Sequence, residues 1–323
     1  MELENTSRLA VTSQSYKASP GTPRTIWMYW ENVYSDKMPD YIRLCYETIC
    51  AHSQSLNVVL LTPENVRDYV PSLREDFELI PQVAHKADYI RAAVLAENGG
   101  MWMDIDSIAI RPIRLIFDLL FDTGAVFYGW KPLEPSIGLI AAVPHHPLIV
   151  AWREAIEERL NGDLSQRWAG IGYDLLWPLA RKIDYTQIDR RICAPTHYTE
   201  TGKFIEDSDP ASLLDDRTVV IQLYNKMFFK TYGAMERSKI LASNTVIGRL
   251  LNEHMRADPS WVTTSELLSE DPATPDRTRA LAKDRGLDLG TAYIQLAVEL
   301  HSSLTRGFTL HKFANLHPEL RLK

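Results

Sequence analysis

Residues 83 to 106 constrain this chain more than any other stretch. An apolar segment with Ala84, Ala87, Ile90, Ala92, Ala93, Val94 and Leu95 carries Asp88 and Arg91 three residues apart. It stops at Asn98-Gly99-Gly100, and a second apolar stretch, Met101-Trp102-Met103, runs straight into Asp104-Ile105-Asp106. The spacing predicts a helix from about Val83 to Glu97, and a glycine can take the left-handed conformation that ends it. So apolar a helix must be buried against a sheet, and charges inside it need partners. On a strand, residues i and i+2 share a face, so Asp104 and Asp106 can aim at one point. Four charged groups thus converge, which is the pattern of a metal-held diphosphate.

The segments before this run alternate in type. Thr25-Ile26-Trp27-Met28-Tyr29-Trp30 reads as a buried strand, Met38 to His52 has helical spacing, and Asn57 to Leu61 reads as a second strand. Thr62 and Pro63 look like the N-cap and first position of another helix. A β-α-β-α order predicts an α/β fold with a mostly parallel sheet flanked by helices. Further strands are expected at Ala125 to Trp130, Ile137 to Val143 and Thr218 to Leu223, and helices at Leu148 to Leu160 and Asp174 to Lys182. Residues 1–20 are polar and read as a flexible tail, 21–255 as the catalytic domain, and 256–323 as a C-terminal accessory helical region.

Charge and composition narrow the partners. With 323 residues, 45% of them hydrophobic, the chain can bury a full core. A formal charge of −7 removes the general attraction that a nucleic-acid binder needs. An acidic protein binds a phosphorylated small molecule only where a metal ion and local Arg or Lys neutralise it. Cys45, Cys50 and Cys193 lack metal-ligand spacing and suggest no disulfide framework, which fits a reducing cytoplasm. No stretch of about 18 apolar residues predicts a transmembrane segment, although a peripheral membrane contact through a helix face is compatible with this.

Carboxylates at a strand end suit Mg²⁺ or Mn²⁺, hard cations that keep open positions for water and substrate phosphates. In such a site Asp88 suits the hydroxyls of a sugar, and the planar fork of Arg91 suits a phosphate or leaving oxygen. By itself Asp104-x-Asp106 reads more readily as two solvated carboxylates in a turn, and Asp88 with Arg91 as a weak surface pair. The composite of helix Asp and Arg, Gly-Gly stop, aromatic strand and Asp-x-Asp is far more specific than its parts.

Ile26-Trp27-Met28-Tyr29-Trp30, Lys86-Ala87-Asp88-Tyr89-Ile90-Arg91 and Asn98-Gly99-Gly100-Met101-Trp102-Met103-Asp104-Ile105-Asp106 resemble the sugar-binding Asp-x-Asp region of family 32 glycosyltransferases. The similarity is greatest to bacterial capsular polysaccharide synthesis proteins, and more distant to clostridial glucosylating toxins. It covers about residues 23 to 112 and thins out near residue 180. The resemblance implies a GT-A-type, Rossmann-like fold and a nucleotide-sugar donor. It also implies a Mn²⁺ or Mg²⁺ cofactor, a glycan or lipid-linked glycan acceptor, and hexose transfer with retention. It assigns Asp106 to the metal, Asp104 to ribose, sugar or metal water, Asp88 to donor-sugar hydroxyls, Arg91 to sugar or phosphate, and Trp30 to the nucleotide base. Relatives supply a late metal ligand, often His, for which Asn244 is the first candidate here and Asn225 the second. Where relatives carry an Asn before a later strand, this chain has Ile137.

Two other functions compete. An effector or toxin that glycosylates a protein would use the same donor site. An Asp-x-Asp phosphohydrolase would use one carboxylate as nucleophile, but its motif should end the first strand of the fold, whereas two strands and three helices are expected before this one. A non-catalytic sugar- or protein-binding module would leave the two aspartates without a task. Pro144-His145-His146-Pro147 reads as a turn, and Gly170-Ile171-Gly172-Tyr173-Asp174 as a helix-entry loop. Lys226, Lys230, Arg237 and Lys239 read as solvated surface charge. Leu296, Leu300, Leu304 and Phe308 are spaced to pack a helix on the domain.

Overall fold

In the computed structural model, which describes residues 24–33, 37–164, 167, 169–224 and 228–306, the two early apolar runs lie side by side. Strands β1 (Thr25–Tyr29) and β2 (Asn57–Leu61) are parallel, with helix α1 (Asp40–Ser53) crossing between them. Helix α3 (Val83–Asn98) leads into β3 (Gly100–Met103), parallel to β1 on its other side, with Trp27 level with Trp102. Then β5 (Ala125–Lys131) and β6 (Glu134–Ala142) form an antiparallel hairpin, and β7 (Thr186–Asp189) lies parallel to β5. The six-stranded order is β2-β1-β3-β6-β5-β7. Only β6 runs against its neighbours, so the sheet is mostly parallel, as the alternation of elements predicts.

Both faces of the central strands are buried, because successive side chains point to opposite sides. Ile26, Met28, Met101 and Met103 meet α1 on one face, while Trp27, Tyr29 and Trp102 meet α3, α5 (Pro147–Gly162) and α6 (Tyr173–Ala180) on the other. Beyond the end of β3 the chain bends and forms β4 (Ser107–Ala109), which pairs antiparallel with β8 (Val220–Gln222) in a small second sheet. Short helices α2 (Val66–Tyr69), α4 (Arg114–Phe117), α7 (Phe229–Tyr232), α8 (Arg237–Leu241) and α9 (Val246–Glu253) fill the periphery.

After residue 256 the described chain is helical: α10 (Pro259–Glu270), α11 (Thr274–Arg285) and α12 (Leu289–Thr305). These helices share the core under α1, to which Leu268, Leu281, Ile294 and Leu300 contribute. Helix α12 lies on β7 so closely that a Cβ at Gly290 would fall 2.1 Å from a methyl carbon of Ile188. The tail at 1–20, Asn225, Lys226 and Phe308 lie outside the described residues. Among the described residues no helix is long and apolar enough to cross a membrane.

The structure differs from expectation in three places. Thr62 does not cap a helix: residues 62–65 form a turn in which the Asn65 side chain accepts from the Thr62 amide at 2.8 Å, and α2 starts only at Val66. Strand β7, four residues long, carries too little pattern to read without its partner β5. Asp104 to Asp106 form a bend between β3 and β4, so the shared strand face is not what positions the two aspartates.

The bend is reached through two glycines with positive φ, Gly99 at 64° and Gly100 at 98°. A Cβ at Gly100 would fall 2.5 Å from the Thr25 carbonyl oxygen, inside the backbone pairing of β1 with β3. Gly100→Ala should therefore destabilise the protein by roughly 2 kcal/mol or more, through strained backbone and displaced strands. Urea unfolding checks this, and a loss below about 0.5 kcal/mol, the usual range of a neutral surface change, would contradict it.

Candidate active site at the end of β3

The parallel strands β1 and β3 both end at one edge of the sheet, where α/β proteins commonly bind ligands. Antiparallel β6 brings its first residues, and β5 its last, to the same edge. The acidic bend sits at the centre of that edge, with Trp30 just past the end of β1. Trp30 is half-buried, and its indole donates to Asn32 at 2.7 Å. Behind it Glu31 accepts from Lys86 of α3 at 2.9 Å and from the Tyr29 hydroxyl at 2.8 Å, which ties the end of β1 to the helix.

Arg91 organises the site. Its guanidinium lies 3.1 Å from Asp88 and 3.2 Å from Asp104, donates to the Ile137 carbonyl and to the Ala87 carbonyl, and covers the Trp102 ring at 4.9 Å. Arg91 and Asp88 are both buried. Removing one partner from such a buried ionic group typically costs about 3–5 kcal/mol, because the other charge is left uncompensated. Ile137, which stands where relatives carry an Asn, contributes its backbone oxygen.

Asp104 is held on every side. One oxygen accepts from Trp102 Nε1 at 2.9 Å and pairs with Arg91, and the other accepts from Gln222 Nε2 at 3.0 Å. Gln222 is itself oriented by the Tyr128 hydroxyl, which donates to its amide oxygen. Gly138 makes room for this arrangement: a Cβ there would strike the Gln222 amide nitrogen at 2.1 Å. Gln222 and Gly138 went unread in the sequence. The only signal was a polar residue closing the apolar run Val219-Val220-Ile221.

Asp106 faces other neighbours. Its charge acts on Tyr41 and Cys45 of α1 and on Tyr224, while its backbone carbonyl accepts from the Leu223 amide at 3.0 Å. The helix-entry loop at 170–174 also comes to the site, since a Cβ at Gly172 would lie 3.0 Å from a carboxylate oxygen of Asp88. Tyr173 stands beside it; burial raises its phenol, and Ser136, Asp88, Arg91 and Asp104 all act on it. Asn244 is exposed in the loop between α8 and α9. The histidines of 144–147 form the expected turn, in which the His146 ring caps α5.

The donor set suits a hard cation only in part. Asp104 is already engaged by three side-chain donors, which suits it better to a bound water or hydroxyl than to direct metal ligation. Among the described residues no group of three or more His, Cys, Asp or Glu could hold a metal. A divalent ion at the bend would take its other ligands from water and substrate phosphates, as Mg²⁺ commonly does.

Asp88 is the most perturbed acid of the site. Burial pushes its carboxyl up to about 7, against the opposing pull of Arg91 and with a further push from Asp104. An unfolded Asp titrates near 3.9, about three pH units lower. The folded protein therefore holds an extra proton between about pH 4 and 7, and stability falls as pH rises through that window, where the unfolded chain has already released its proton. Wild type should lose stability relative to Asp88→Asn between about pH 4.5 and 7.5. Urea unfolding of both proteins measures the difference, and a pH-independent gap would contradict the assignment.

Residues 2–111 match the family model described as capsular polysaccharide synthesis protein. The chain is 26% identical over 191 residues to a putative glycosyltransferase, HOC1, of Saccharomyces cerevisiae, covering 57% of this chain and 44% of that one. It is also 26% identical over 185 residues to human alpha-1,4-N-acetylglucosaminyltransferase, covering 52% and 49%. A solved glycosyltransferase, PaToxG, overlaps 49% of this chain and 68% of its own at 16% identity, but with a TM-score of 0.34 the likeness is too loose to bear on the fold. The chain spans less than half the length of both sequence relatives. Its first third matches the capsular polysaccharide synthesis family, and over about half its length it is a relative of glycosyltransferases.

Proposed function

We propose that the chain is a metal-dependent, retaining glycosyltransferase that moves a hexose from a nucleotide-sugar donor to a polysaccharide or glycan acceptor. The observation that carries this reading is the buried Arg91 bridge between Asp88 and Asp104, held at the sheet edge beside Asp106. Asp104, oriented from three directions, presents a fixed acceptor to a ribose or sugar hydroxyl. Asp88 pairs with Arg91 through one oxygen, and its other oxygen lies beside Gly172 and the Ile137 side chain. Trp30 provides an aromatic surface for the nucleotide base at the end of β1. Arg91 is a positioning residue that fixes both carboxylates. A bound Mn²⁺ or Mg²⁺, held first by Asp106, would supply the charge that stabilises a departing diphosphate. Similarity to glycosyltransferases over about half the chain supports the same activity. Three free cysteines are consistent with a cytoplasmic location.

The phosphohydrolase reading fares worse. Its nucleophile would have to be an unencumbered carboxylate, and Asp104 is pinned by Trp102, Gln222 and Arg91 on a bend after the third strand of the chain. An effector-type protein glycosyltransferase would share the donor site and differ only in its acceptor surface.

Thermal shift with UDP- and GDP-hexoses, each with and without Mn²⁺, tests the donor. A ligand at about 100 times its dissociation constant stabilises the folded state by about 2.7 kcal/mol, so one nucleotide sugar should raise the melting temperature by several degrees in the presence of Mn²⁺. Asp106→Asn should abolish the metal-dependent part of that shift and lower transfer or donor hydrolysis by roughly 100-fold or more. An unchanged shift and turnover in Asp106→Asn would overturn the proposal.

A further inference from the structure

A second constellation lies on the same sheet edge, two strands from the acidic bend. Strand β5 ends at this edge with Trp130, and β7 ends beside it with Asp189, level with Gly129. Two strand spacings of about 4.8 Å separate β5 from β3, and β5 runs on past the level of Met103, which lies opposite Leu139 of β6. Around Trp130 the chain gathers aromatic rings: His197 at 4.7 Å and Tyr198 at 5.9 Å, both edge-to-face, with Tyr224 6.4 Å from Tyr198. Tyr198 is 57% exposed, one of few large apolar side chains left in solvent.

The cluster is built rather than incidental. Arg190 lies 4.8 Å over the Trp130 ring and donates to the Ala194 and Pro195 carbonyls at 2.9 and 3.0 Å, which fixes the loop that carries His197 and Tyr198. Tyr224 has a left-handed backbone, φ 61°, which a bulky residue adopts only under constraint. It follows directly on Leu223, whose amide bonds the Asp106 carbonyl, so it links the aromatic wall to the acidic bend. Beside Trp130 a hollow of about 330 Å³ is lined by Gln187, Asp189, Arg190 and Asp288, a polar rim that meets the aromatic cluster at the Trp130 ring.

We infer that Trp130, His197, Tyr198 and Tyr224 form a stacking platform for a pyranose unit of the acceptor glycan. The inference rests on the proposed glycosyl transfer and adds the residues that would hold an acceptor sugar. A pyranose presents a C–H face that suits an aromatic ring and a circumference of hydroxyls that suits Asp, Arg and Gln side chains. Trp130 joins the two features, since its ring borders the polar hollow and meets His197 and Tyr198. A lipid chain would use the rings alone.

The test is saturation-transfer-difference NMR on the full chain with methyl α-mannoside, methyl α-glucoside and methyl β-N-acetylglucosaminide as probes. At least one should receive saturation on its ring protons. Tyr198→Ala should weaken that binding roughly tenfold, equivalent to about 1.4 kcal/mol, while Tyr198→Phe restores it. Tyr198→Ala should keep the melting shift given by nucleotide sugar and Mn²⁺, which excludes misfolding. Three results overturn the platform: no saturation of any glycoside in wild type, undiminished saturation in Tyr198→Ala, or displacement of the glycoside by nucleoside diphosphate with Mn²⁺. If Tyr198→Ala lowers transfer to a peptide but leaves glycoside binding intact, the platform takes protein and the pyranose assignment falls. Failure of every nucleotide sugar to shift wild type sinks the donor reading instead, and leaves the glycoside result to be judged separately.

Discussion

Everything at the edge of this sheet depends on one buried cation. Arg91 projects from a helix whose other residues are mostly apolar, and its guanidinium is compensated by Asp88 on its own helix and Asp104 on the bend beyond β3. A charge in that position is tolerable only because both carboxylates, two carbonyls and the face of Trp102 surround it. The reverse also holds. Arg91 and Trp102 in turn fix one oxygen of Asp104, so the helix and the bend define one another.

That mutual dependence explains features which look unrelated along the chain. Gly99 and Gly100 let β3 follow α3 without a longer loop, keeping helix and bend within ion-pair distance. Gly138 and Gly172 clear space for Gln222 and for Asp88. Strand β8, far along the chain, pairs with β4 and delivers Gln222 to Asp104 and Leu223 to Asp106. The small second sheet thus works as a clamp on the bend. The C-terminal helices join the core on the α1 face and support β7, the strand next to the aromatic cluster.

Much of this was legible in the sequence, for physical reasons that differ by residue. The helix Val83–Asn98, its glycine stop and strand β3 were readable because apolar periodicity and a left-handed stop are local properties. That Asp88 and Arg91 would share a site followed from charge on an apolar helix. The roles of Gln222 and Gly138 were not readable, since they depend on contacts between segments more than 80 residues apart. The placement of Asp104 and Asp106 was argued from strand alternation, but the chain has already left the strand at Asp104, and tertiary partners aim each carboxylate separately. Proximity of the Gly170–Asp174 loop to Asp88 likewise emerges only when α6 packs against α5 and β6.

The central claim is that the bend after β3 holds a divalent ion together with the diphosphate of a sugar nucleotide. Electron paramagnetic resonance of Mn²⁺ titrated into the protein, with and without UDP or GDP, addresses it without reference to turnover or acceptor. The account predicts one protein-bound Mn²⁺ whose affinity rises when the nucleoside diphosphate is present, and whose signal is lost in Asp106→Asn. Mn²⁺ binding that is indifferent to both the diphosphate and Asp106→Asn would contradict it.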